Sequence, residues 1–372
     1  MLRRSVIALV PGLLLAAEPA AKPETPFKLA TFEAQGRTRL GMVVADRIVD
    51  LAEANAHVAR KAKLKPVSIP ADMRSLIEQY DQLSPRLYQI ANFFKATPPA
   101  GLPFAFDPAK VSYKAPIKYP WNVLAAAANY KLHAEGMGAP GARPPQAGPG
   151  GGAGGPGAAG GFNAAAAAQI VPDRDAPIFF AKSPRSCIID PGEAYYIPPG
   201  RTRIDWEGEM AIVMGKETRL VDGAKAHDHV FGYSIMYDVS DRGGAPRRQV
   251  SMFGGPNWFE GKSIDRGAPF GPFIVPKEFV ADPANLRITT KVNGEVMQEG
   301  STKELIWNEQ HMITYLSQIL TLYPGDVIST GTPAGTGSER QKFLKPGDVV
   351  SIEVEGLGTL STPIKAWDQR PR

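Results

Sequence analysis

The feature that most constrains the fold is an alternating run from Arg203 to Gly215, in which apolar and acidic side chains take turns. A β-strand points successive side chains to opposite faces, so the run predicts a strand with Asp205, Glu207 and Glu209 on one face. Like charges at that spacing repel and destabilise the fold unless something offsets them. Two interpretations stay open here: a divalent cation among the carboxylates, or a solvated edge strand with an acidic outer face.

A second strand-like run favours the cation. It extends from Gly232 to Ser240 and carries Asp238 near its end. A Glu-x-Glu pair and an Asp from a neighbouring strand together form an anionic half-shell made only of oxygen atoms. Hard cations such as Mg²⁺, Mn²⁺ or Ca²⁺ suit that donor set, with open positions left for water and substrate.

Composition excludes several classes of function. The 372 residues, 43 % of them hydrophobic, suffice for one large or two ordinary domains with a sizeable core. The net charge of +5 is small, and no basic block is interleaved with aromatic residues, so we expect no nucleic-acid partner. The lone cysteine, Cys187, rules out an internal disulfide framework and any multi-cysteine zinc site.

The N-terminus has the layout of an export signal over residues 1–21. Arg3 and Arg4 form a short basic segment, and Val6 to Ala17 is an apolar run too short for a stable membrane anchor. This pattern predicts an exported, periplasmic protein. The alternative is an uncleaved N-terminus of a cytosolic protein. Residues 22–26 form a proline-containing linker.

The sequence pattern of residues 27–114 predicts a small α+β domain. An alternating strand begins at Phe27, and a hairpin with Ala45 and Asp46 at its turn follows. Helical patterns come next, and Ser84 and Pro85 fit the start of the last helix.

Residues 115–372 predict a second, β-rich domain that opens with an apolar strand. His133 and Glu135 follow that strand and are candidates for a general base, although a lone histidine is more often a capping or packed residue. Residues 137–168 are rich in Gly, Ala and Pro, which predicts a flexible insertion without a core. Short strands separated by Pro-Gly and Asn-Gly turns, with one helix from Asn308 to Leu320, indicate a closed or rolled β-architecture.

Several blocks of this sequence, in this order, resemble the fumarylacetoacetate hydrolase family. The blocks are Phe179–Ser186, Asp205–Gly215, Tyr237–Arg242, Gly261–Asp265, Pro269–Pro272, Val292–Glu295, Tyr315–Ser317, Pro324–Ile328, Thr330–Gly335, Leu344–Asp348 and Gly356–Gly358. The resemblance implies an α+β, β-rich fold. A mixed β-sandwich roll would carry the site, and a small α+β domain would precede it. It also implies a homodimer.

The resemblance further implies roles for individual residues. The metal ligands would be Glu207, Glu209 and Asp238, and the active-site lysine would be Lys262. Residues expected to contact substrate are Arg242, Lys182 and Thr330. Family hydrolases often carry a Glu three residues after the His and use the pair to activate water. Here that position is Gly136, and the nearest acid is Glu135.

These observations predict a metal-dependent hydrolase that cleaves a C–C bond of a small 2-oxo or 1,3-dicarbonyl acid, an acylpyruvate or a fumarylacetoacetate-like acid, through a metal-stabilised enolate. Mg²⁺ is the expected ion, with Mn²⁺ and Ca²⁺ as alternatives. Lys262 and Arg242 would offset negative charge, and His133, helped by Glu135, would activate water. Two alternatives remain: an isomerase or hydratase with the same site, and a non-catalytic protein that binds organic acids.

Overall fold

The computed structural model describes residues 22–136, 169–243 and 258–371. The predicted export segment (1–21) and the Gly-rich insertion (137–168) lie outside the described residues. So do residues 244–257, which follow the predicted substrate-binding Arg242. Among the helices that are described, none is long and apolar enough to cross a membrane.

The chain opens with a five-stranded antiparallel sheet in the order β4-β3-β2-β1-β5. Its strands are β1 (Lys28–Ala34), β2 (Arg37–Val44), β3 (Arg47–Asp50), β4 (Ala105–Phe106) and β5 (Ser112–Lys114). The β2–β3 hairpin turns at Ala45, whose φ is +53°, which confirms the predicted position of the turn.

Three helices pack against this sheet. They are α1 (Leu51–Ala62), α2 (Met73–Glu78) and α3 (Tyr80–Ala96). The predicted helix start at Ser84–Pro85 is wrong, because Pro85 lies inside α3. A proline there removes one backbone hydrogen bond. The buried stripe of Leu83, Leu87 and Ile90 nevertheless continues past Pro85, and its packing keeps the helix intact.

Fifteen further strands and five further helices are described in the rest of the chain. The strands are β6 (Val123–Ala127), β7 (Ile178–Ala181), β8 (Ile188–Ile189), β9 (Tyr195–Ile197), β10 (Ile204–Asp205), β11 (Gly208–Met214), β12 (Val230–Tyr237), β13 (Ser240–Asp241), β14 (Ala268–Pro269), β15 (Val275–Pro276), β16 (Arg287–Val292), β17 (Glu295–Ser301), β18 (Val327–Ser329), β19 (Val349–Val354) and β20 (Gly358–Ala366). The helices are α4 (Lys131–Gly136), α5 (Pro184–Cys187), α6 (Trp258–Lys262), α7 (Glu309–Ile319) and α8 (Gly337–Arg340). Segments of 3₁₀ helix are Pro108–Lys110, Gly223–His229, Lys277–Phe279, Pro283–Asn285, Thr302–Glu304 and Trp367–Gln369.

Two mixed sheets form a sandwich. The first has six strands in the order β15-β12-β11-β18-β6-β7, with β18 and β6 parallel. The second has five strands in the order β17-β16-β19-β20-β9, with β20 and β9 parallel. Met210 and Ile212 of β11 share one buried cluster with Ile288, Ile352 and Leu360 of the second sheet. The predicted α+β, β-rich sandwich is therefore confirmed.

The opposite face of the six-stranded sheet packs against the N-terminal part of the chain. Ala211 and Val213 point to that side, as the two-residue period of a strand requires, and join a cluster that contains Leu29 and Leu76. Burial on both faces explains why every residue of β11 is buried. The predicted domain boundary between residues 114 and 115 stays a prediction, since this core spans both sides of it.

Candidate active site

The alternating run at residues 203–215 is broken in the middle. Backbone pairing ends at Asp205 and resumes at Gly208, so Trp206 and Glu207 lie between β10 and β11. Gly208 packs so closely against the second sheet that a Cβ there would lie 2.2 Å from Thr290 Oγ1. Any larger residue at this position would have to displace the side chains of Thr290 and Ile352. The two glutamates are thereby held on either side of a glycine that the packing requires.

The structure brings together the three predicted ligand residues. Glu207, Glu209 and Asp238 are buried, and one carboxylate oxygen from each lies within 4.8 Å of the others. The strands β11 and β12 are antiparallel neighbours, with Gly208 opposite Tyr237, which carries Asp238 alongside the glutamates. The Asp238 N–H donates to the Glu207 carbonyl at 2.9 Å and fixes this approach.

Glu209 has no cationic hydrogen-bond partner among the described residues. Its Oε2 accepts hydrogen bonds from Ser329 Oγ at 2.5 Å and from the Gly331 N–H at 2.9 Å. Its Oε1 accepts none from a described residue. Burial, with the charges of Asp238 and Glu207 added, raises the pKa of Glu209 to about 8. Of the three clustered carboxylates, Glu209 is the one whose negative charge is least compensated by positive charge.

Lys262 bridges the other two carboxylates. Its Nζ donates to Glu207 Oε2 at 2.6 Å, to Asp238 Oδ2 at 2.6 Å and to Ser240 Oγ at 2.7 Å. Burial works to lower the pKa of Lys262, but the carboxylates of Asp238 and Glu207 outweigh it and raise the pKa above its usual value. The lysine therefore stays charged beside the cluster.

Arg242 joins the cluster to Asp205. Its Nη2 donates to Glu207 Oε1, and its Nε donates to Asp205 Oδ2 at 2.8 Å. Burial works to raise the pKa of Glu207, but the charges of Lys262 and Arg242 outweigh it and hold the pKa below its usual range. Asp205 also accepts from the N–H groups of Gly337 at 2.5 Å and Ser338 at 3.1 Å. Asp205 therefore positions Arg242 and the start of α8. It is not part of the group formed by Glu207, Glu209 and Asp238.

Two predicted substrate contacts do not line the cavity. Lys182 is completely buried, and its Nζ donates to Asp238 Oδ1 at 2.5 Å and to the Lys262 carbonyl, behind the cluster. Thr330 is also completely buried, and its hydroxyl donates to the Met210 carbonyl at 3.0 Å. Thr332, two residues further on, lines the cavity instead.

His133 lies on α4 and is paired with a residue that the sequence did not suggest. Its Nδ1 lies 2.5 Å from Oε1 of Glu339 on α8. Oε2 of Glu339 accepts from the N–H groups of Gly335 and of Thr336, which fixes the carboxylate in a capping box. The side chain of Glu135, the predicted helper, lies outside the described residues.

The side chains converge on a small cavity that is partly open to bulk solvent. The described residues that line it are Ala126, Ala127, Ala128, His133, Phe180, Glu207, Glu209, Arg242, Trp258, Lys262 and Thr332. The predicted base, two predicted ligands, the predicted lysine and the predicted arginine therefore share one cavity wall.

The donor set fits a hard divalent cation. It consists only of carboxylate oxygens, and Glu209, whose Oε1 accepts no hydrogen bond from a described residue, lines the cavity. Within the described part of the chain, four buried carboxylates (Asp205, Glu207, Glu209 and Asp238) stand against three cationic side chains that contact them (Lys182, Arg242 and Lys262). One or more additional positive charges would balance the cluster. A divalent ion would supply that charge.

Several curated relatives are named as oxaloacetate tautomerases. The human protein "Oxaloacetate tautomerase FAHD2A, mitochondrial" is 42 % identical over 194 residues, which are 52 % of this chain and 60 % of that protein. The chain's match thus spans three fifths of the length of that relative. "Oxaloacetate tautomerase YisK" from Bacillus subtilis (strain 168) is 30 % identical over 341 residues, 91 % of this chain and 99 % of that protein.

The prediction of an exported, periplasmic protein is wrong. Relatives from human and cattle are named as mitochondrial proteins, and this localisation contradicts the prediction of an exported enzyme. The apolar N-terminal run that suggested export lies outside the described residues.

Similar solved structures and a matching family description indicate the same family. Maleylpyruvate hydrolase from Sphingobium sp. SYK-6, crystallised with manganese(II) and pyruvate, is 27 % identical with a TM-score of 0.61, covering 91 % of this chain and 99 % of that one. Fumarylacetoacetate hydrolase from Exiguobacterium antarcticum gives the same values. The family description "Fumarylacetoacetate (FAA) hydrolase C-terminal" matches residues 122–365, and this chain therefore belongs to the fumarylacetoacetate hydrolase family.

Proposed function

We propose that this protein is a metal-dependent hydrolase that cleaves a C–C bond of a small 2-oxo acid such as an acylpyruvate. One observation carries the proposal: His133, paired with Glu339, lines the same cavity as Glu207 and Glu209. A hydrolase of this kind needs a base for water next to the groups that hold the substrate's oxygens.

The His133–Glu339 contact supports the role of base. A carboxylate accepts hydrogen bonds but does not donate them, so the proton of the contact belongs to Nδ1 of His133. Nε2 then keeps its lone pair and can take a proton from water, while Glu339 stabilises the imidazolium that forms.

The remaining polar residues hold the substrate. A divalent cation at Glu207, Glu209 and Asp238 would act as a Lewis acid toward the 2-oxo group. Arg242 and Lys262 add fixed positive charge beside it, at a cavity wall where charges are poorly screened. Thr332 lines the cavity, but its hydroxyl donates to the Gly208 carbonyl at 3.0 Å and accepts from Gln298 Nε2 at 2.7 Å, so we assign it no substrate contact.

The step balances as a simple hydrolysis. His133 takes a proton from water, and the resulting hydroxide adds to the acyl carbonyl carbon. The bond between that carbon and the next breaks, its electron pair passes to the pyruvate methylene carbon, and the protonated His133 returns a proton there. The products are a carboxylic acid and pyruvate.

Mg²⁺ is the ion we propose, because hard oxygen donors suit it. Mn²⁺ is the alternative, since the maleylpyruvate hydrolase neighbour was crystallised with manganese(II). The homodimer expected from the resemblance stays a prediction.

A second candidate is keto–enol tautomerisation of a 2-oxo acid such as oxaloacetate, which the names of the relatives favour. It would use the same ligands and a proton carrier but no attacking water. Assays of purified, Mg²⁺-loaded protein separate the two. Hydrolysis of an acylpyruvate removes its enol absorbance and releases pyruvate, whereas tautomerisation of oxaloacetate releases none. If no acylpyruvate yields pyruvate, the hydrolase proposal fails, and if neither substrate reacts, a binding protein remains.

A further inference from the structure

The backbone on both sides of Gly208 is held by side chains from other parts of the fold. The Gly208 N–H donates to Gln298 Oε1 at 3.1 Å, and the Gly208 carbonyl accepts from Thr332 Oγ1 at 3.0 Å. That N–H belongs to the peptide that joins Gly208 to Glu207, and the carbonyl belongs to the peptide that joins it to Glu209. The orientation of these two peptides therefore sets the directions in which the two glutamates project.

Gln298, on β17 of the second sheet, completes this arrangement. Its Nε2 donates to Thr332 Oγ1 at 2.7 Å and to the Pro333 carbonyl at 2.7 Å. Since the Gly208 N–H must face an acceptor, the amide can take only one of its two orientations. Gln298, Gly208 and Thr332 thus close a ring of three hydrogen bonds, and all three residues are buried.

The missing side chain of Gly208 explains how Gln298 reaches its backbone. Gln298 lies opposite Thr290 in the ladder between β16 and β17. A Cβ on Gly208 would lie 2.2 Å from Thr290 Oγ1, so a larger residue would push β11 away from this pair. Glycine also has the freest backbone of any residue, and the hydrogen bonds from other segments restrict that freedom at the point where it would disturb the glutamates.

The loop that Gln298 contacts, residues 329–333, also holds the carboxylate of Glu209. Ser329 Oγ and the Gly331 N–H both donate to Glu209 Oε2. Gln298 donates to the last two residues of the same loop. It therefore acts on Glu209 in two ways, through the backbone that precedes this residue and through the loop that holds its carboxylate.

We propose that Gln298 is a positioning residue for the metal site, which fixes the relative orientation of Glu207 and Glu209. Gln298 does not line the cavity, and its hydrogen bonds avoid the three ligand carboxylates. The inference rests on the metal site of the proposed function but not on the proposed reaction. Mg²⁺ demands nearly ideal octahedral geometry, whereas Ca²⁺ accepts irregular arrangements. A residue that sets the ligand geometry should therefore matter more for Mg²⁺ than for Ca²⁺.

Calorimetric titration of the purified protein with MgCl₂ and with CaCl₂ tests this. Gln298→Met has a side chain of similar length and removes all three hydrogen bonds. We expect the Kd for Mg²⁺ to rise by about tenfold or more and the Kd for Ca²⁺ by about threefold or less. A variant that is only less well folded would lose affinity for both ions by the same factor.

Two further substitutions test the same network and one provides a control. Thr332→Val removes the hydroxyl at nearly constant shape and should weaken Mg²⁺ binding, whereas Thr332→Ser should restore it, which decides the matter if Gln298→Met does not fold. Thr302→Val is the control. Thr302, just after β17, is also buried, and its Oγ1 accepts from the Leu286 N–H and donates to the Pro283 carbonyl, both at 2.8 Å. It does not line the cavity, so its loss should lower stability and leave both Kd values unchanged.

The outcomes separate the inference from the proposed reaction. An unchanged Kd for Mg²⁺ in Gln298→Met would overturn the inference, and so would equal losses for the two ions or an equal loss in Thr302→Val. Wild-type protein that binds neither ion would overturn it together with the proposed metal dependence. If Gln298→Met selectively loses Mg²⁺ but the wild type hydrolyses no acylpyruvate, the inference holds and the proposed reaction fails.

Discussion

Glu339 holds His133 through a hydrogen bond that spans 206 residues of sequence, from Nδ1 of one to Oε1 of the other at 2.5 Å. The histidine lies on α4 and the glutamate on α8, so the pair exists only because the fold brings the two helices to one cavity. This contact supplies the acid partner that position 136, a glycine, lacks.

The first prediction concerns that pair. Glu339→Gln should lower kcat for hydrolysis by about a hundredfold or more, because the amide no longer stabilises the protonated His133. KM and bound metal should change little, since Glu339 contacts neither the ligand carboxylates nor their hydrogen-bond partners. Steady-state kinetics and elemental analysis of the same preparation measure all three quantities.

A matched His–Glu pair elsewhere in the chain provides the control. His227 Nδ1 and Glu309 Oε1 are 2.8 Å apart, and neither residue lines the cavity. Glu309→Gln should leave kcat unchanged. Equal losses in both variants would mean that Glu339 acts through general stability, and full activity of Glu339→Gln would remove it from the mechanism.

The second prediction concerns the ligand set. Glu209→Gln should abolish metal binding and nearly all turnover, because it removes one of only three anionic ligands. Glu207→Gln should do the same. Asp241→Asn is the control: Asp241 is buried nearby and pairs with Arg201 at 3.2 Å, but it is outside the ligand group. Stoichiometric metal in both glutamine variants, by elemental analysis, would reject the assignment.

Sequence reasoning predicted the ligand set because it depends on local pattern. Alternation placed Glu207 and Glu209 on the same side of one strand, and Asp238 lay near the end of the next strand-like run, directly after β12 in the structure. The pairing of β11 with β12 then brings them together. The same alternation placed Asp205 on that face of a continuous strand, although not among the ligands, since it gives no sign of the break at Trp206 and Glu207.

Contacts between segments that are far apart in the chain could not be predicted from the sequence alone. The sequence around His133 does not predict its contact with Glu339. Thr336 and Glu339 do form a Thr-x-x-Glu capping box, which marks a helix start. The pattern predicts the local cap but not which side chain donates to the second oxygen of the glutamate. Likewise, a threonine-rich loop was expected at the substrate, but only packing decides that Thr332 rather than Thr330 reaches the cavity.

The third prediction is a pH effect on stability away from the cavity. The hydrogen bond to Glu309 raises the pKa of His227 above its usual value of about 6.5 and outweighs burial and the charge of Lys277, which lower it. Because the folded-state pKa is raised, the stabilisation is fully present below the unfolded pKa and is lost as pH rises through the folded pKa. Wild type should therefore exceed His227→Gln in denaturation midpoint by more at pH 5.5 than at pH 9. A difference independent of pH would contradict this account.

The last prediction concerns Ala128, which links the strand β6 to the helix that carries His133. Its φ is +52°, a left-handed conformation in which a Cβ is unfavourable. Ala128→Gly should therefore raise the free energy of unfolding by about 0.5 to 1 kcal/mol. Ala127→Gly, one residue earlier in extended backbone, should lower it, since glycine weakens a strand interior. Ala45→Gly, at φ +53° in a turn on the N-terminal sheet, should stabilise as Ala128→Gly does, because the gain comes from the backbone alone. Urea denaturation of the three variants gives the signs. If Ala128→Gly destabilises as Ala127→Gly does, contacts of the Ala128 methyl group with the cavity outweigh its backbone strain.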